Sequence, residues 1–419
     1  MKRYHFGILV AVLMVPVGLK AYTWRTAPPV ELAAADVEAG KMLFSHVWTR
    51  NDPLTKGNGV GPVFNAHSCV ECHFKGGVGG SGELAHNVTT YSLLQPCNNA
   101  PATGVIHAKA ISPEFKENLH QVDASIAADT EITLDYVLER SKGNKNGRFG
   151  IGAQLAQMNT PALFGANLID QISDQTLIAI MRKQQLLAGG ASSNTEEAPV
   201  GRALILADKR LGKFGWKGQT AGLLDFVQAA CANELGLSNP SHNRPAPISR
   251  QDLKQVSYDL TLEQCKQMAD FVASLPRPVE EVPADDAAKD QVHRGKGLFN
   301  SVGCAACHIP TVASVQGIYS DLLLHRMGAD LDSGGSQSYG FVPNGSPDST
   351  PLSDEWRTPP LWGVADSGPY LHDGRAKTLE EAIRLHGGQA KTSSGNFAAL
   401  PRDQQADLVR FLKSLKAPG

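Results

Sequence analysis

The chain has 419 residues, with 39 Lys and Arg against 41 Asp and Glu. That length accommodates two or three domains with substantial cores. The near-balanced charge excludes a basic face for nucleic acid and an acidic tail, while 41 Gly and 25 Pro promise many loops around a modest set of helices.

The chain starts with a basic Met1-Lys2-Arg3. An apolar run from Ile8 to Leu19 follows, broken by Pro16 and Gly18, and then small Ala21. This is the layout of a secretory signal over 1–21, and it predicts export, most simply to a periplasm. Lys20 at the expected cleavage site keeps an uncleaved anchor as the alternative.

Next comes Ala39-Gly-Lys-Met-Leu-Phe44, with apolar residues at helical spacing, then a Gly-, Pro- and Asn-rich loop from Asn51 to Asn65. Cys69-Val-Glu-Cys72-His73 stands directly after it. The same order returns later, where Arg294-Gly-Lys-Gly-Leu-Phe299 precedes Cys304-Ala-Ala-Cys307-His308. Covalent attachment of haem needs two thiols to add to the vinyl groups and an adjacent histidine to ligate iron. Cys-x-x-Cys-His meets both needs within five residues. A zinc site or a redox dithiol also uses Cys-x-x-Cys, but neither explains a histidine at the same place twice. The cofactors expected are therefore two covalently bound haem c groups, attached through Cys69, Cys72, Cys304 and Cys307, with His73 and His308 as proximal iron ligands.

Two further echoes follow the motifs. Asn159-Thr-Pro-Ala-Leu-Phe-Gly165 resembles Arg357-Thr-Pro-Pro-Leu-Trp-Gly363, and the segment Trp216 to Val227 lies over His372 to Ile383. The chain reads as a duplicated unit whose first copy carries large insertions. Pro276 to Asp286, with three prolines and four acids, reads as an extended linker. Helices are expected over Thr261–Leu275 and Asp403–Leu415, and clean period-two runs are few. The fold class expected is mostly α, with two cytochrome c-like haem domains. The N-terminal haem domain would occupy 35–275, enlarged by loop-rich insertions; 276–286 links it to a C-terminal domain over 287–419.

The sixth iron ligands stay open on the residues alone. For the second haem Met327, His325, His372 and His386 are candidates. His386 near the end of a helix expected over Thr378–His386 is more often a dipole partner than a ligand. For the first haem His86, in a Gly-rich loop, is the candidate. Of the other cysteines, Cys231 and Cys265 are expected to form a disulfide in an oxidising compartment, leaving Cys97 odd.

The run Thr358-Pro-Pro-Leu-Trp-Gly-Val, then Gly368-Pro-Tyr-Leu-His-Asp-Gly-Arg375, then Thr378 to His386 resembles the C-terminal signature of bacterial di-haem cytochrome c peroxidases. Gly61-Pro-Val-Phe-Asn65, Phe214-Gly-Trp-Lys217 and Asn233-Glu-Leu-Gly-Leu237 fit their di-haem oxidoreductase branch, whose members are labelled thiol oxidoreductases or peroxidases. The resemblance runs from about Gly40 to the C-terminus and is looser in the first unit. It implies that His386 is the distal ligand of the C-terminal haem. Trp216 would relay electrons between the haems, its alternative being a core aromatic. Glu234 would be the distal carboxylate of the catalytic haem, its alternative being a solvated helix-end acid; Glu83 and Glu114 are other acids of that unit with no motif behind them. Where His386 aligns, the first unit has Ala230, which implies an open sixth position there. The implied function is that of a periplasmic di-haem c oxidoreductase, peroxidase-like, with an electron-transfer C-terminal haem and a catalytic N-terminal one. The partners expected are a small redox protein or cytochrome and hydrogen peroxide as substrate; nucleic acid is excluded, and a homodimer is compatible. The rival readings are a non-enzymatic electron-transfer cytochrome and an oxidoreductase acting on a thiol or protein.

Overall fold

The computed structural model describes residues 32–93, 101–143, 153–333 except 191, 193–195, 197, 254 and 256, and 350–418. Residues 1–21, where a secretory signal is expected, and Cys97 lie outside the described residues. Among the described residues no helix is long and apolar enough to cross a membrane.

Two helix pairs form the frame. Helix α1 (Ala34–Ser45) packs on α3 (Leu262–Ser274), and α4 (Asp286–Ser301) packs on α6 (Arg402–Leu412). Helix α3 begins where Thr261 and Gln264 close a reciprocal capping box, and α4 where the Asp285 carboxylate accepts from the Ala288 amide. The repeated Gly-Lys-x-Leu-Phe has a packing reason. A Cβ on Gly40 would stand 1.8 Å from the Gln267 carbonyl oxygen, and one on Gly295 would stand 2.0 Å from that of Asp407. Only glycine lets the backbones cross so closely. The phenylalanine four residues on then meets a phenylalanine of the partner helix. Phe44 lies 5.1 Å from Phe271, and Phe299 lies 5.4 Å from Phe411, centroid to centroid. Gly295→Val is therefore expected to destabilise the fold by about 1–3 kcal/mol or more, because backbone rather than a flexible side chain must move. A thermal melt unchanged from wild type would contradict this crossing.

The expectation of a mostly α fold is corrected to a mixed one, 38% helical and 14% strand among the described residues. The largest sheet has three antiparallel strands, with β1 (Val88–Leu93) between β2 (Thr103–Ile106) and β3 (Ala153–Met158). Thr90 pairs with Val105 on one side and Ala156 on the other. One face, through Tyr91, Ile106 and Leu155, packs on Leu119, Val122 and Val137. The other, through Ala156 and Met158, packs on Trp356. Both faces being covered, the strands carry no period-two signature, which is why the pattern concealed them.

The expected linker 276–286 is corrected at its end, because Asp286 already opens α4; within it Val279–Glu280 forms a short strand that pairs antiparallel with Leu415–Lys416. One core cluster takes residues from both sides of this segment, with Phe44, Leu177, Phe214 and Phe271 beside Ile318, Leu323 and Trp362.

Candidate functional site

Each Cys-x-x-Cys-His folds as one tight turn, α-helical at Cys69–Cys72 and 3-10 at Cys304–Ala306. In each, the histidine Nδ1 donates to a backbone carbonyl: His73 to Gly80 at 3.1 Å, His308 to Tyr319 at 2.9 Å. Burial lowers both imidazoles to about 4 and keeps them neutral. The Nδ1 bond leaves Nε2 of His308 as a lone pair able to ligate a metal, while the His73 ring lies against the Pro161 carbonyl as well as that of Gly80. Burial also pushes the Cys69, Cys72 and Cys304 thiols up to about 12. Such thiols are poor thiolates, which disfavours the redox-dithiol reading.

The motifs open onto two apolar cavities. The second, of about 290 Å³, is lined by Cys304, Cys307, His308, His386, Trp356 and Trp362 among others. The first, of about 110 Å³, is lined by Cys69, Cys72, His73, His86, Ala230 and Glu234 among others. Native interiors are close-packed, so voids of this size walled by paired thiols and neutral imidazoles fit a large apolar cofactor. The second cavity offers a sharper test. The rings of His308 and His386 lie with centroids 6.5 Å apart, tilted by 55°. Two metal–nitrogen bonds of about 2.0 Å, plus about 1.1 Å from each nitrogen to its ring centre, need roughly 6.2 Å. His386 Nδ1 donates to the Ala382 carbonyl at 2.7 Å, and burial lowers its pKa as well. The residues fit a haem iron between two histidines.

Internal repetition sets up the asymmetry between the cavities. Phe214 bridges Thr220 as Tyr370 bridges Ala376. Trp216 and His372 each stand two residues before a glycine of positive φ, Gly218 and Gly374. Helix α2 (Leu223–Glu234) then answers α5 (Leu379–Arg384). At the place where α5 runs out into His386, α2 presents Ala230, and each lines its own cavity. Trp216 lines both cavities; its indole N–H donates to the Asn159 carbonyl at 2.8 Å.

Glu234, the last residue of α2, lines the first cavity, and its Oε2 accepts from the Asn65 amide at 2.7 Å. Asn65 and Ala66 amides both bond the Glu234 carbonyl, which ties the Gly61–Asn65 loop to the helix end. Glu83 is exposed beside Lys75 and Glu114 is exposed; neither lines this cavity. His86 does line it, edge-on to Phe74, with its Nδ1 buried and unpaired.

The other ligand candidates for the second cavity, Met327, His325 and His372, all line it. His372 lies flat on Trp356, 3.6 Å between centroids, while the Lys217 ammonium sits 3.5 Å from the centre of the Trp356 ring. Burial lowers His372 to about 3. His325 is held by Asp321 at 2.8 Å and Gln389 at 2.7 Å, so both nitrogens are committed. Cys307, Asp321 and His325 place three donor atoms within 4.8 Å, but that engagement argues against a metal there. Nothing in the local sequence pattern marks the Asp321–His325–Gln389 contact, which joins two segments 64 residues apart.

The expected Cys231–Cys265 disulfide is corrected: both residues carry free thiols in one buried cluster. Burial raises both pKa values, Cys265 to about 12. They behave as small core hydrophobes.

A family model described as "Di-haem oxidoreductase, putative peroxidase" matches residues 144–415. The match takes in the second motif, Trp216, Glu234 and His386, and begins after the first motif. Among curated proteins, the chain is 28% identical over 152 residues to hydrazine synthase subunit gamma of Kuenenia stuttgartiensis, covering 32% of this chain and 43% of that protein. It is 35% identical over 131 residues to the methylamine utilization protein MauG of Methylorubrum extorquens, covering 30% and 34%. To the cytochrome-c peroxidase IdrP1 of Denitromonas iodatirespirans it is 30% identical over 173 residues, covering 33% and 44%. The chain thus spans less than half the length of these relatives. Among solved structures, a hydrazine synthase of Kuenenia stuttgartiensis covers 99% of this chain and 100% of its own, at 15% identity and a TM-score of 0.40.

Proposed function

The chain belongs to the di-haem oxidoreductase family, and from that premise we propose that it is a periplasmic peroxidase-like enzyme carrying two covalent haem c groups, one for electron transfer and one for catalysis. The observation that carries this reading is the asymmetry of the cavities. The second brings His386 within 6.5 Å of His308, ring centre to ring centre, whereas the first sets Ala230 and Glu234 around His73. A haem bound in each would supply iron-centred one-electron chemistry.

In this reading Cys69 and Cys72, and Cys304 and Cys307, anchor the two groups, and His73, His308 and His386 ligate. Both ligands in the second cavity being held by their Nδ1 bonds, that site is suited to outer-sphere electron transfer with a small redox protein. In the first, peroxide would enter the space beside Ala230. Reduction to two waters consumes two electrons and two protons. Glu234 takes the proton from one peroxide oxygen and returns it to the departing one, while Asn65 fixes the carboxylate through Oε2. Trp216, in the wall of both cavities, is the route for electrons between them.

One observation favours the rival reading of a pure carrier. The unpaired Nδ1 of His86 in the first cavity offers a second ligand that would close that iron. Electron paramagnetic resonance of the oxidised holoprotein separates the two. One high-spin and one low-spin ferric signal is the expected result. Two low-spin signals, with the N-terminal one converting to high spin in His86→Ala, would establish the carrier arrangement.

A further inference from the structure

We propose that His325 and Asp321 form a fixed buried charge pair that sets the reduction potential of the C-terminal haem and holds its two attachment segments in register. The proposal rests on the reading that a haem fills the second cavity, and it deepens that reading by naming residues beyond the attachment and ligand set.

Geometry fixes the charge on His325. Its Nε2 lies 2.8 Å from an Asp321 carboxylate oxygen, and its Nδ1 lies 2.7 Å from the Gln389 side-chain oxygen. The Gln389 amide cannot be turned round, because its nitrogen donates to the Val200 carbonyl at 3.2 Å. Both ring nitrogens thus face acceptors, and only the doubly protonated imidazolium satisfies them. Asp321 is satisfied in turn, by Gln184 Nε2 at 2.7 Å and by the Leu323 amide at 2.9 Å. The same Gln184 nitrogen donates to the Ala306 carbonyl, inside the Cys304–Cys307 turn.

The pair has 0% exposure at Asp321 and 2% at His325. Burying two charges costs more solvation than their attraction returns unless geometry is close to ideal, so a stability role alone is a weak account of them. Their placement suggests another. His325 lines the cavity and stands 3.6 Å from Cys307 Sγ, an atom that would carry the haem thioether. Gln389 lies three residues past His386, so the pair ties the proximal turn to the distal ligand. The imidazolium, nearer the cavity than the carboxylate, disfavours the additional positive charge of the ferric state. Hydrogen bonds and charges around the ligands of a haem are established means of tuning its potential.

The test is a potentiometric titration of the holoprotein with both haems followed separately. His325→Gln is expected to lower the midpoint potential of the C-terminal haem, and Asp321→Asn to raise it. The double substitution, which removes both charges, is expected to return it close to wild type, with the N-terminal haem unchanged throughout. Simple damage to packing would move both single variants the same way, so same-direction shifts would overturn the proposal. So would a potential that neither variant moves. Should His325→Gln fail to yield holoprotein, an unchanged or lowered potential in Asp321→Asn overturns the proposal by itself. A wild-type protein without a second haem would instead defeat the underlying reading.

Discussion

Glu234→Gln is expected to cut peroxide turnover by about 10²–10⁴-fold while both haem spectra stay as in wild type. The substitution keeps the side chain's length and shape and removes its titration. Asn65 can still approach the retained amide oxygen, and the backbone bonds from the Glu234 carbonyl to Asn65 and Ala66 do not involve the side chain. The end of α2 and the wall of the first cavity should therefore survive, and only proton transfer should fail. Turnover equal to wild type would remove Glu234 from the mechanism. Glu83 and Glu114, exposed and outside the cavity wall, offer no ready replacement. A wild-type protein that ignores peroxide in both its fully and half-reduced forms would leave electron transfer as the better account.

Replacing both Cys304 and Cys307 by Ser is expected to halve the haem that stays attached after denaturation, and to leave the N-terminal haem in place. The thioether bonds are the only covalent hold proposed for either group, whereas His308 and His386 contribute ligation that denaturation destroys. The converse pair, Cys69→Ser with Cys72→Ser, should remove the other half. Mass spectrometry of the denatured chain reads the outcome directly. Unaltered haem content in either double variant would end the assignment of that motif. This experiment carries particular weight at the first motif, which lies outside the residues matched by the family model.

By itself the sequence determined the chemistry that is local. Cys-x-x-Cys-His needs no long-range contact to be read, because two thiols and an imidazole within one turn already make up the attachment unit proposed for haem. The helix boundaries around Thr261 and Thr378 were equally legible, since each cap is made by a side chain accepting from an amide three residues on. Repetition was legible too, because Gly40 and Gly295 answer the same demand, a helix crossing with no room for a Cβ. What only the tertiary structure decided is everything that depends on residues far apart in the chain. The strands Val88–Leu93 and Ala153–Met158 are covered on both faces, so no alternation announced them. Cys231 and Cys265 were paired by compartment logic, yet the structure leaves them as separate thiols in a shared core. Four residues competed as partner for His308, and spacing could not rank them. The fold brings the His386 ring within 6.5 Å of that of His308, engages His325 with Asp321 and lays His372 flat on Trp356, and the proposed ligation by His386 rests on that arrangement. A ligand is defined by where its lone pair points, and that direction is a property of the packed chain rather than of the residue.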